Sequence, residues 1–194
     1  DAGVTVDLSE GTATDGFGDA DTLSNIENIT ATDEADKLTG SDAANVIAGN
    51  AGDDVIAGLD GADTIDGGSG ADQIDGGSGA DSILGGEGAD SILGGTGADQ
   101  IAGGSGDDSI LGGEGDDSIL GDSGDDYIVG GVGSDAIDGG SGIDEIDYST
   151  DAAAGGDAGV TVDLSEGTAT DGFGDADTLS NIENVKGTDE ADQL

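Results

Sequence analysis

The chain has 194 residues, of which 46 are Asp or Glu and 2 are Lys or Arg, giving a formal net charge of -44, and it contains 42 Gly but no Pro, Cys, Met, Trp or His. Such a charge repels phosphate backbones and anionic headgroups, which argues against nucleic-acid partners and membrane insertion. Without Cys and His, disulfide frameworks, zinc centres and the Ser-His-Asp and Cys-His catalytic groups are excluded. The remaining strong metal ligands are oxygens, which favour calcium or magnesium.

The chain begins with a segment, residues 1–30, whose first 28 residues recur unchanged as residues 157–184. Residues 4–8 alternate between apolar and polar types, which predicts a β-strand. Leu23, Ile26 and Ile29 recur at every third position, as in a wider β-helical coil. Residues 16–24 resemble a single copy of the nine-residue motif described next, with Asp21 in its sixth place. We interpret residues 1–30 as a β connecting or capping segment.

A nine-residue repeat occupies residues 31–147. Residues 49–147 form eleven consecutive nonapeptides with Gly first, Gly fourth, Asp sixth and Ile eighth, and two degenerate copies precede them. The first six positions are Gly-rich and favour a turn, because glycine adopts positive φ at little cost. The last three favour a short strand, in which the eighth residue faces the side opposite to the seventh and ninth.

One strand and one turn per nonapeptide predict that two nonapeptides close one coil of a solenoid, with a parallel sheet on each side. The Ile residues then share one face and form the core. Asp residues 18 positions apart stack along one edge, with neighbouring strands ~4.8 Å apart. Carboxylates at that spacing repel strongly, which favours a divalent cation between them.

The nonapeptide pattern, G-G-x-G-x-D-x-U-x, resembles the calcium-binding repeats of the RTX family. The resemblance covers residues 31–147, and eleven copies in one register make it specific. It implies an all-β fold, namely a right-handed parallel β-roll of stacked nonapeptides with wider β-helical connecting coils. It also implies an extracellular or cell-surface protein that is exported by type I secretion.

In the RTX family, each calcium ion is held between turns two nonapeptides apart, by the sixth-position Asp of both and by backbone carbonyls of the Gly-rich turns. The resemblance thus implies that Asp54 shares an ion with Asp72, and Asp63 with Asp81, while carbonyls near Gly52 and Gly67 complete the shell. It implies about nine calcium ions per repeat unit. The implied carboxylate ligands are Asp36, Asp54, Asp63, Asp72, Asp81, Asp90, Asp99, Asp108, Asp117, Asp126, Asp135 and Asp144. The implied carbonyl ligands are Gly52, Gly61, Gly67, Gly70, Gly76, Gly79, Gly85, Gly88, Gly94, Gly97, Gly103, Gly106, Gly112, Gly115, Gly121, Gly124 and Gly130.

Other acidic residues need not bind metal. Those outside the sixth position, such as Asp66 and Glu114, are interpreted as solvated surface charges. The fifth-position residues either adjust the turn or add charge; they are Asp53, Asp107, Asp116 and Asp125.

The ninth positions carry two rows of aliphatic residues that point outward in this arrangement. Rows of exposed aliphatics mark contact surfaces, so one row is expected to be covered by a neighbouring rod or by the connecting segment. The alternative is that they are isolated strand-forming residues. One row contains Leu93, Leu111 and Val129, and the other Leu84, Ala102 and Leu120.

After the roll, residues 148–156 are rich in Gly and Ala and are predicted to be a joint. Residues 157–186 are the second copy of the connecting segment, and residues 187–194 repeat the start of the roll. The chain therefore reads as one 156-residue unit followed by the beginning of another. Both ends are expected to be cuts through a longer tandem array, so a secretion signal could lie outside the sequence.

Two functions fit this organisation. The first is a calcium-dependent structural repeat of a long extracellular bacterial protein, such as an adhesin, a surface filament or a surface-layer component. The second is the calcium-binding export region of a type I-secreted toxin or hydrolase. A glycosidase would need a distinct carboxylate pair, and nothing separates such a pair from calcium ligands, so we do not expect an enzyme. The outward seventh positions do not form the flat Thr and Asn array of an ice-binding surface.

Overall fold

The computed structural model describes residues 2–151, 155–156 and 158–194. These residues form 21 β-strands in two sheets, which confirms the all-β prediction. Residues 152–154 of the predicted joint, together with Asp1 and Asp157 of the connecting segments, lie outside the described residues. Among the described residues, no helix has the length and apolar character needed to cross a membrane.

The strands fall into three groups along the chain. The first connecting segment and the two degenerate repeats contain β1 Thr5–Asp7, β2 Thr12–Thr14, β3 Ala20–Thr22, β4 Asn28–Thr30, β5 Lys37–Thr39 and β6 Val46–Ala51. The eleven nonapeptides and the turns between them contain β7 Val55–Asp60, β8 Thr64–Ser69, β9 Gln73–Ser78, β10 Ser82–Glu87, β11 Ser91–Thr96, β12 Gln100–Ser105, β13 Ser109–Glu114, β14 Ser118–Ser123, β15 Tyr127–Val132, β16 Ala136–Asp138 and β17 Glu145–Asp147. The second connecting segment contains β18 Thr161–Asp163, β19 Thr168–Thr170, β20 Ala176–Ser180 and β21 Asn184–Lys186.

Successive nonapeptide strands alternate between the two sheets. One sheet contains β5, β7, β9, β11, β13, β15 and β17 in that order, and the other contains β4, β6, β8, β10, β12, β14 and β16. Neighbours within each sheet are parallel and keep an 18-residue register, in which Ile83 lies opposite both Ile65 and Ile101. Two nonapeptides therefore form one coil, and the coils stack into the predicted β-roll.

The roll strands are longer than the sequence predicted. Each full strand has six residues, because it continues through the first three positions of the next nonapeptide, as Gly85, Gly86 and Glu87 do in β10. Gly86 pairs with Gly68 at a φ of 117°, and a Cβ at Gly86 would collide with the Gly68 carbonyl oxygen. Glycine lets neighbouring backbones approach closely enough for the ladder to continue. Only the fourth to sixth positions remain as the turn.

The core is a single column of aliphatic side chains per sheet. Every eighth-position Ile from Ile56 to Ile146 is at most 3% exposed, and Leu38 and Ile47 of the degenerate repeats each extend one of the two columns. Ile29 covers one end, and Leu179 and Ile182 of the second connecting segment cover the other. The core is therefore a thin layer, because each nonapeptide contributes one apolar side chain to it.

The connecting segments do not form the wider coil that the spacing of Leu23, Ile26 and Ile29 suggested. Strands β1, β2 and β3 instead form an antiparallel meander, and β18, β19 and β20 form the same meander in the second copy. Side-chain turns reverse the chain: Asp7 accepts hydrogen bonds from Ser9 and from the Glu10 N–H, and Asp15 from the N–H groups of Phe17 and Asp19. Such Asx turns outweigh the weak three-residue apolar pattern.

The two copies of the connecting segment share their first 28 residues and have different surroundings. In the second copy, β20 pairs with β16 and β21 pairs with β17, so the segment closes the roll and extends both sheets. Ile182 is consequently 8% exposed, whereas the equivalent Ile26 is 47% exposed. Phe173 is half-buried, whereas Phe17 is 86% exposed.

One predicted aliphatic row is partly covered. Val129 is buried, while Leu111 in the same row stays exposed. Phe173 of the second connecting segment and Thr150 line the same open groove as Val129. In the other row, Leu84 and Leu120 are both exposed.

Candidate metal centre

The sixth-position Asp residues stand between the turn and the strand of each nonapeptide. The side chains of Asp36 and of the eleven Asp from Asp54 to Asp144 are 0–3% exposed, although they are carboxylates. The parallel register aligns them in two columns, one along each edge of the roll. Together with Asn45, which occupies the same position in the second degenerate repeat, we call them the Asp ladder.

One oxygen of each ladder carboxylate belongs to the backbone network. The Oδ1 atom of Asp72 accepts the N–H of Asp54 at 2.8 Å, and the Oδ1 atom of Asp90 accepts the N–H of Asp72 at 2.8 Å. The same bond recurs along both columns at 2.7–3.0 Å. Each carboxylate therefore links its coil to the preceding one.

The other oxygen of most ladder carboxylates has no partner. Among the described residues, Oδ2 is buried without a hydrogen bond in ten of them, which are Asp54, Asp63, Asp72, Asp81, Asp90, Asp99, Asp108, Asp117, Asp126 and Asp144. A buried acceptor that gives up water without a new partner costs about 1–3 kcal/mol, and more when it is charged. Such a column of orphan acceptors requires a proton or a cation.

Each orphan oxygen faces a small cradle lined by backbone oxygens. A Cβ placed on Gly94 would lie 2.7 Å from Asp99 Oδ2 and 2.5 Å from the carbonyl oxygen of Gly112. A Cβ on Gly112 would lie 2.6 Å from Asp117 Oδ2 and 2.5 Å from the Gly130 carbonyl oxygen. The first-position glycine thus leaves open a space where a carboxylate oxygen and a carbonyl oxygen converge.

The electrostatics of the ladder disfavour bare carboxylates. Burial, with a contribution from neighbouring Asp residues, raises the pKa of Asp108 to about 7 and of Asp72 and Asp117 to about 6, although backbone N–H groups oppose the shift. The same causes raise the pKa of Asp81 to about 6. The chain has only 2 basic residues, Lys37 and Lys186, so side chains cannot neutralise the column.

The donor set fits calcium. All of the converging atoms are carboxylate or carbonyl oxygens, which calcium binds in sets of six to eight, whereas magnesium demands a compact octahedron and retains waters. The described residues contain no group of three or more acidic side chains gathered for a metal. An ion in such a cradle would be held by one or two carboxylates together with backbone carbonyls.

The predicted ligands do not all have the same surroundings. The first-position carbonyls from Gly67 to Gly130 that were implied as ligands lie at the cradles, whereas a Cβ on the fourth-position Gly70 would meet the Gly52 carbonyl and Asp53 Oδ1 instead. Asp36 differs from the other ladder carboxylates because both of its oxygens accept hydrogen bonds from Thr32.

The acidic residues outside the Asp ladder are of two kinds: some are exposed, and others accept backbone hydrogen bonds in the turns. Asp66 and Glu114 are exposed. Each fifth-position Asp accepts a backbone N–H from the next coil at 2.9 Å, as Asp53 does from Ala71, so these residues fix the turn geometry; the others are Asp107, Asp116 and Asp125.

Sequence reasoning missed several buried acids at the end of the eleventh nonapeptide and beyond it. Asp147 is held ionised: burial opposes this, but hydrogen bonds from Lys186, Ser149 and Tyr127 lower its pKa to about 2. Asp177 accepts the N–H of Asp135 at 3.0 Å and so continues one column of the ladder. Its equivalent, Asp21, stands in the sixth place of the single motif at residues 16–24, which was the available signal.

Comparison with known families agrees with this geometry. The sequence profile of the RTX calcium-binding nonapeptide repeat matches the chain at residues 15–56, 30–65, 39–74, 48–83, 75–110, 84–119 and 111–146. These matches together span residues 15–146, which is more than half of the chain. No curated protein matches the sequence.

Proposed function

The chain belongs to the family of RTX calcium-binding nonapeptide repeats, and on that basis we propose that it is a calcium-stiffened structural repeat of a long extracellular bacterial protein. In this proposal, the ladder carboxylates and the glycine carbonyls hold about nine calcium ions per unit. The ions neutralise the buried column and fasten each coil to the next. Type I secretion delivers the chain unfolded, and extracellular calcium folds it.

The packing between the end of the roll and the second connecting segment supports a role for this chain as a spacer. Leu179 lies opposite Ile137, and Val185 lies opposite Ile146, so the apolar column continues from the roll into the second connecting segment. A Cβ on Gly139 would collide with the carbonyl oxygen of Asn181, whereas a Cβ on Gly94 or Gly112 would meet a glycine carbonyl oxygen. Asn181 of the connecting segment therefore supplies the carbonyl oxygen of the last cradle. A packed junction of this kind supports a stiff succession of units rather than beads on a flexible linker.

The start of the next roll supports the same conclusion. The Val160 N–H donates to Asp192 Oδ1 at 2.9 Å, and the equivalent Val4 N–H donates to Asp36 Oδ1. Gln193 then donates to the Val160 carbonyl as Lys37 does to the Val4 carbonyl. The second connecting segment therefore begins a roll in the same way as the first, and units of 156 residues can follow one another in register.

Lateral association of rods is a further part of the proposal. Leu84, Ala102 and Leu120 stack on β10, β12 and β14, with both leucines exposed. An exposed aliphatic row of this kind supports side-by-side contact. Sedimentation velocity in calcium tests it: concentration-dependent association that Leu84→Asp with Leu120→Asp abolishes would support it, and a monomer at all concentrations would remove it.

Solution scattering tests the calcium-stiffened rod directly. Without calcium, an unfolded chain of this length has a radius of gyration of about 47 Å. With millimolar calcium, we expect a smaller radius and a scattering profile of an elongated particle. A coil profile in both conditions would overturn the proposal.

The parent reading frame separates the spacer from the export region of a toxin or hydrolase. A spacer predicts many consecutive copies of the 156-residue unit. An export region predicts one or two roll blocks next to a catalytic or toxic domain.

A further inference from the structure

The end of the roll buries a second group of carboxylates that does not belong to the nonapeptides. Asp151, Asp171 and Asp177 are all at most 3% exposed. Asp151 Oδ2 accepts the N–H of Gly172 at 2.9 Å, which places it beside the turn that begins at Asp171. Asp177 Oδ2 accepts the hydroxyl of Tyr148 at 2.9 Å. The connecting segment thus brings acids from two separate stretches of chain to one place.

Asp171 contributes an orphan oxygen to this group. Its Oδ1 atom accepts the N–H groups of Phe173 at 3.0 Å and Asp175 at 2.8 Å, which forms the turn. Its Oδ2 atom is buried and finds no hydrogen-bond partner in the part of the chain that the structure describes. This is the same division of the two oxygens that the ladder carboxylates show.

Other oxygens surround the same turn. A Cβ on Gly172 would lie 3.2 Å from Asp151 Oδ2 and 3.3 Å from the carbonyl oxygen of Ala158. Burial raises the pKa of Asp151, and the charge of Asp171 adds to that shift, so these two carboxylates repel each other. Lys186 is already bonded to Asp147 at 2.7 Å, and Lys37 lies on β5, next to the first connecting segment. A basic side chain therefore does not balance the group.

We propose that Asp171 and Asp151, with the Ala158 carbonyl, bind one calcium ion that fastens the connecting segment to the end of the roll. The ligands are again carboxylate and carbonyl oxygens, the set that calcium prefers. The ion joins Asp151, which lies just after the end of the roll, to a turn about 20 residues further along the chain. It locks the junction between one unit and the next, so stiffness does not depend on the ladder alone.

The first copy of the connecting segment contains the same turn without the end of a roll packed against it. Asp15 forms the same turn as Asp171, since its Oδ1 accepts the N–H groups of Phe17 at 2.9 Å and Asp19 at 3.0 Å. It is only half-buried, and the nearest atom to a Cβ on Gly16 would be the Ala2 carbonyl oxygen rather than a carboxylate. The site therefore requires a roll end against the turn, and Asp15 is its matched control.

Calcium titration calorimetry on the full chain tests the site. Asp171→Asn keeps the Oδ1 acceptor and the turn but removes the orphan charge, and Asp15→Asn makes the same change where the roll end is missing. We expect Asp171→Asn to bind one ion per chain fewer than the wild type, and Asp15→Asn to bind the same number. Equal numbers in all three proteins, or one ion lost in both variants, would overturn the site. The ladder ions are counted in the same titration, so failure of the proposed function would appear separately as absent binding in the wild type.

Terbium luminescence gives a second measurement that folding alone does not mimic. In a Tyr127→Phe background, Tyr148 is the remaining one of the 2 tyrosines and lies against Asp177. Terbium(III) occupies calcium sites and emits when a nearby tyrosine transfers its excitation energy. We expect tyrosine-sensitised emission to fall in Asp171→Asn and to persist in Asp15→Asn. Unchanged emission in both would contradict the assignment.

Discussion

Each ladder Asp uses its two oxygens for different purposes. Oδ1 fixes the spacing of neighbouring coils through a backbone N–H, while Oδ2 is left as a buried acceptor. This division explains why the position requires a carboxylate: a single acceptor atom would satisfy the backbone and bind nothing else. Asn45 illustrates the difference, because its Oδ1 accepts the Ser41 N–H and its Nδ2 donates to the Glu27 carbonyl.

Substitution of one ladder residue should remove calcium, whereas substitution of a surface acid should not. Asp108→Asn keeps the acceptor for the Asp90 N–H but removes the charge next to the cradle of Gly103. We expect calorimetry to show fewer ions per chain and weaker binding. Glu114→Gln, an exposed change of the same type, should match the wild type. The same stoichiometry in both variants would refute the ladder assignment.

Acid should partly replace calcium. The pKa of Asp108 is raised to about 7 and that of Asp72 and Asp81 to about 6 in the calcium-free fold, against an ordinary value near 3.8. Because the folded state binds protons more tightly than the unfolded state, this contribution to stability is fully present below about pH 4 and is lost as pH rises through 6 to 7.

Circular dichroism in EDTA checks this sign. We expect β structure to increase as the pH is lowered from 7.5 towards 4.5 and to disappear again on return to neutral pH. Calcium affinity should fall over the same range, because protons compete for the Oδ2 atoms. A calcium-free fold that becomes less structured on acidification would contradict the raised pKa values.

The strand is the element in which the core is built, and it contributes one buried Ile per nonapeptide. Ile110→Ala leaves a cavity in a column that is one side chain wide, so it should cost about 2–5 kcal/mol of the free energy of unfolding in calcium. Ile110 is 1% exposed. Since each coil contacts only its neighbours, the loss should spread through adjacent coils.

Ile143 provides the control of the same residue type, because it is 60% exposed on the turn of the last nonapeptide. Ile143→Ala should change the free energy of unfolding by no more than about 0.5 kcal/mol. Guanidinium unfolding at fixed calcium measures both variants. Equal destabilisation of the two would show that the Ile column is not the core.

The repeat allowed the roll to be predicted almost completely, because the period, the register and the alignment of the sixth-position Asp residues all follow from the nonapeptide. Two features of the elements were not predictable in the same way. The strands run through Gly85 and Gly86, and glycine is a poor strand former by propensity, so the sequence predicted a turn there. The meander depends on side-chain turns at Asp7 and Asp15, which a three-residue apolar spacing concealed.

In the whole molecule, the unpredicted features lie where distant segments meet. Asp151 and Asp171 are both buried, although each alone reads as a surface acid, because their burial arises when the connecting segment packs on the roll end. Phe17 and Phe173 have the same sequence context and differ in exposure for the same reason. A local sequence pattern cannot predict packing between distant segments, whereas the nonapeptide pattern predicts a ladder Asp in every repeat.

Because of the charge of -44, we expect calcium to be part of the fold rather than an addition to it. Self-repulsion and glycine entropy oppose a compact state that has only a thin core to stabilise it. Nine sites at ten times their Kd would stabilise the folded state by on the order of 12 kcal/mol, as much as the whole stability of a typical domain. The chain should therefore remain unfolded at sub-micromolar calcium and fold steeply at millimolar calcium, with magnesium a poor substitute.

Far-ultraviolet circular dichroism of the full chain at neutral pH, recorded in EDTA and again after addition of millimolar calcium, tests this coupling most directly. We expect the spectrum of a disordered coil in EDTA and a β spectrum in calcium, fully reversible on renewed chelation. The same amount of magnesium should leave the coil spectrum largely unchanged. A β spectrum that survives complete chelation at neutral pH would contradict a fold that is stabilised by calcium.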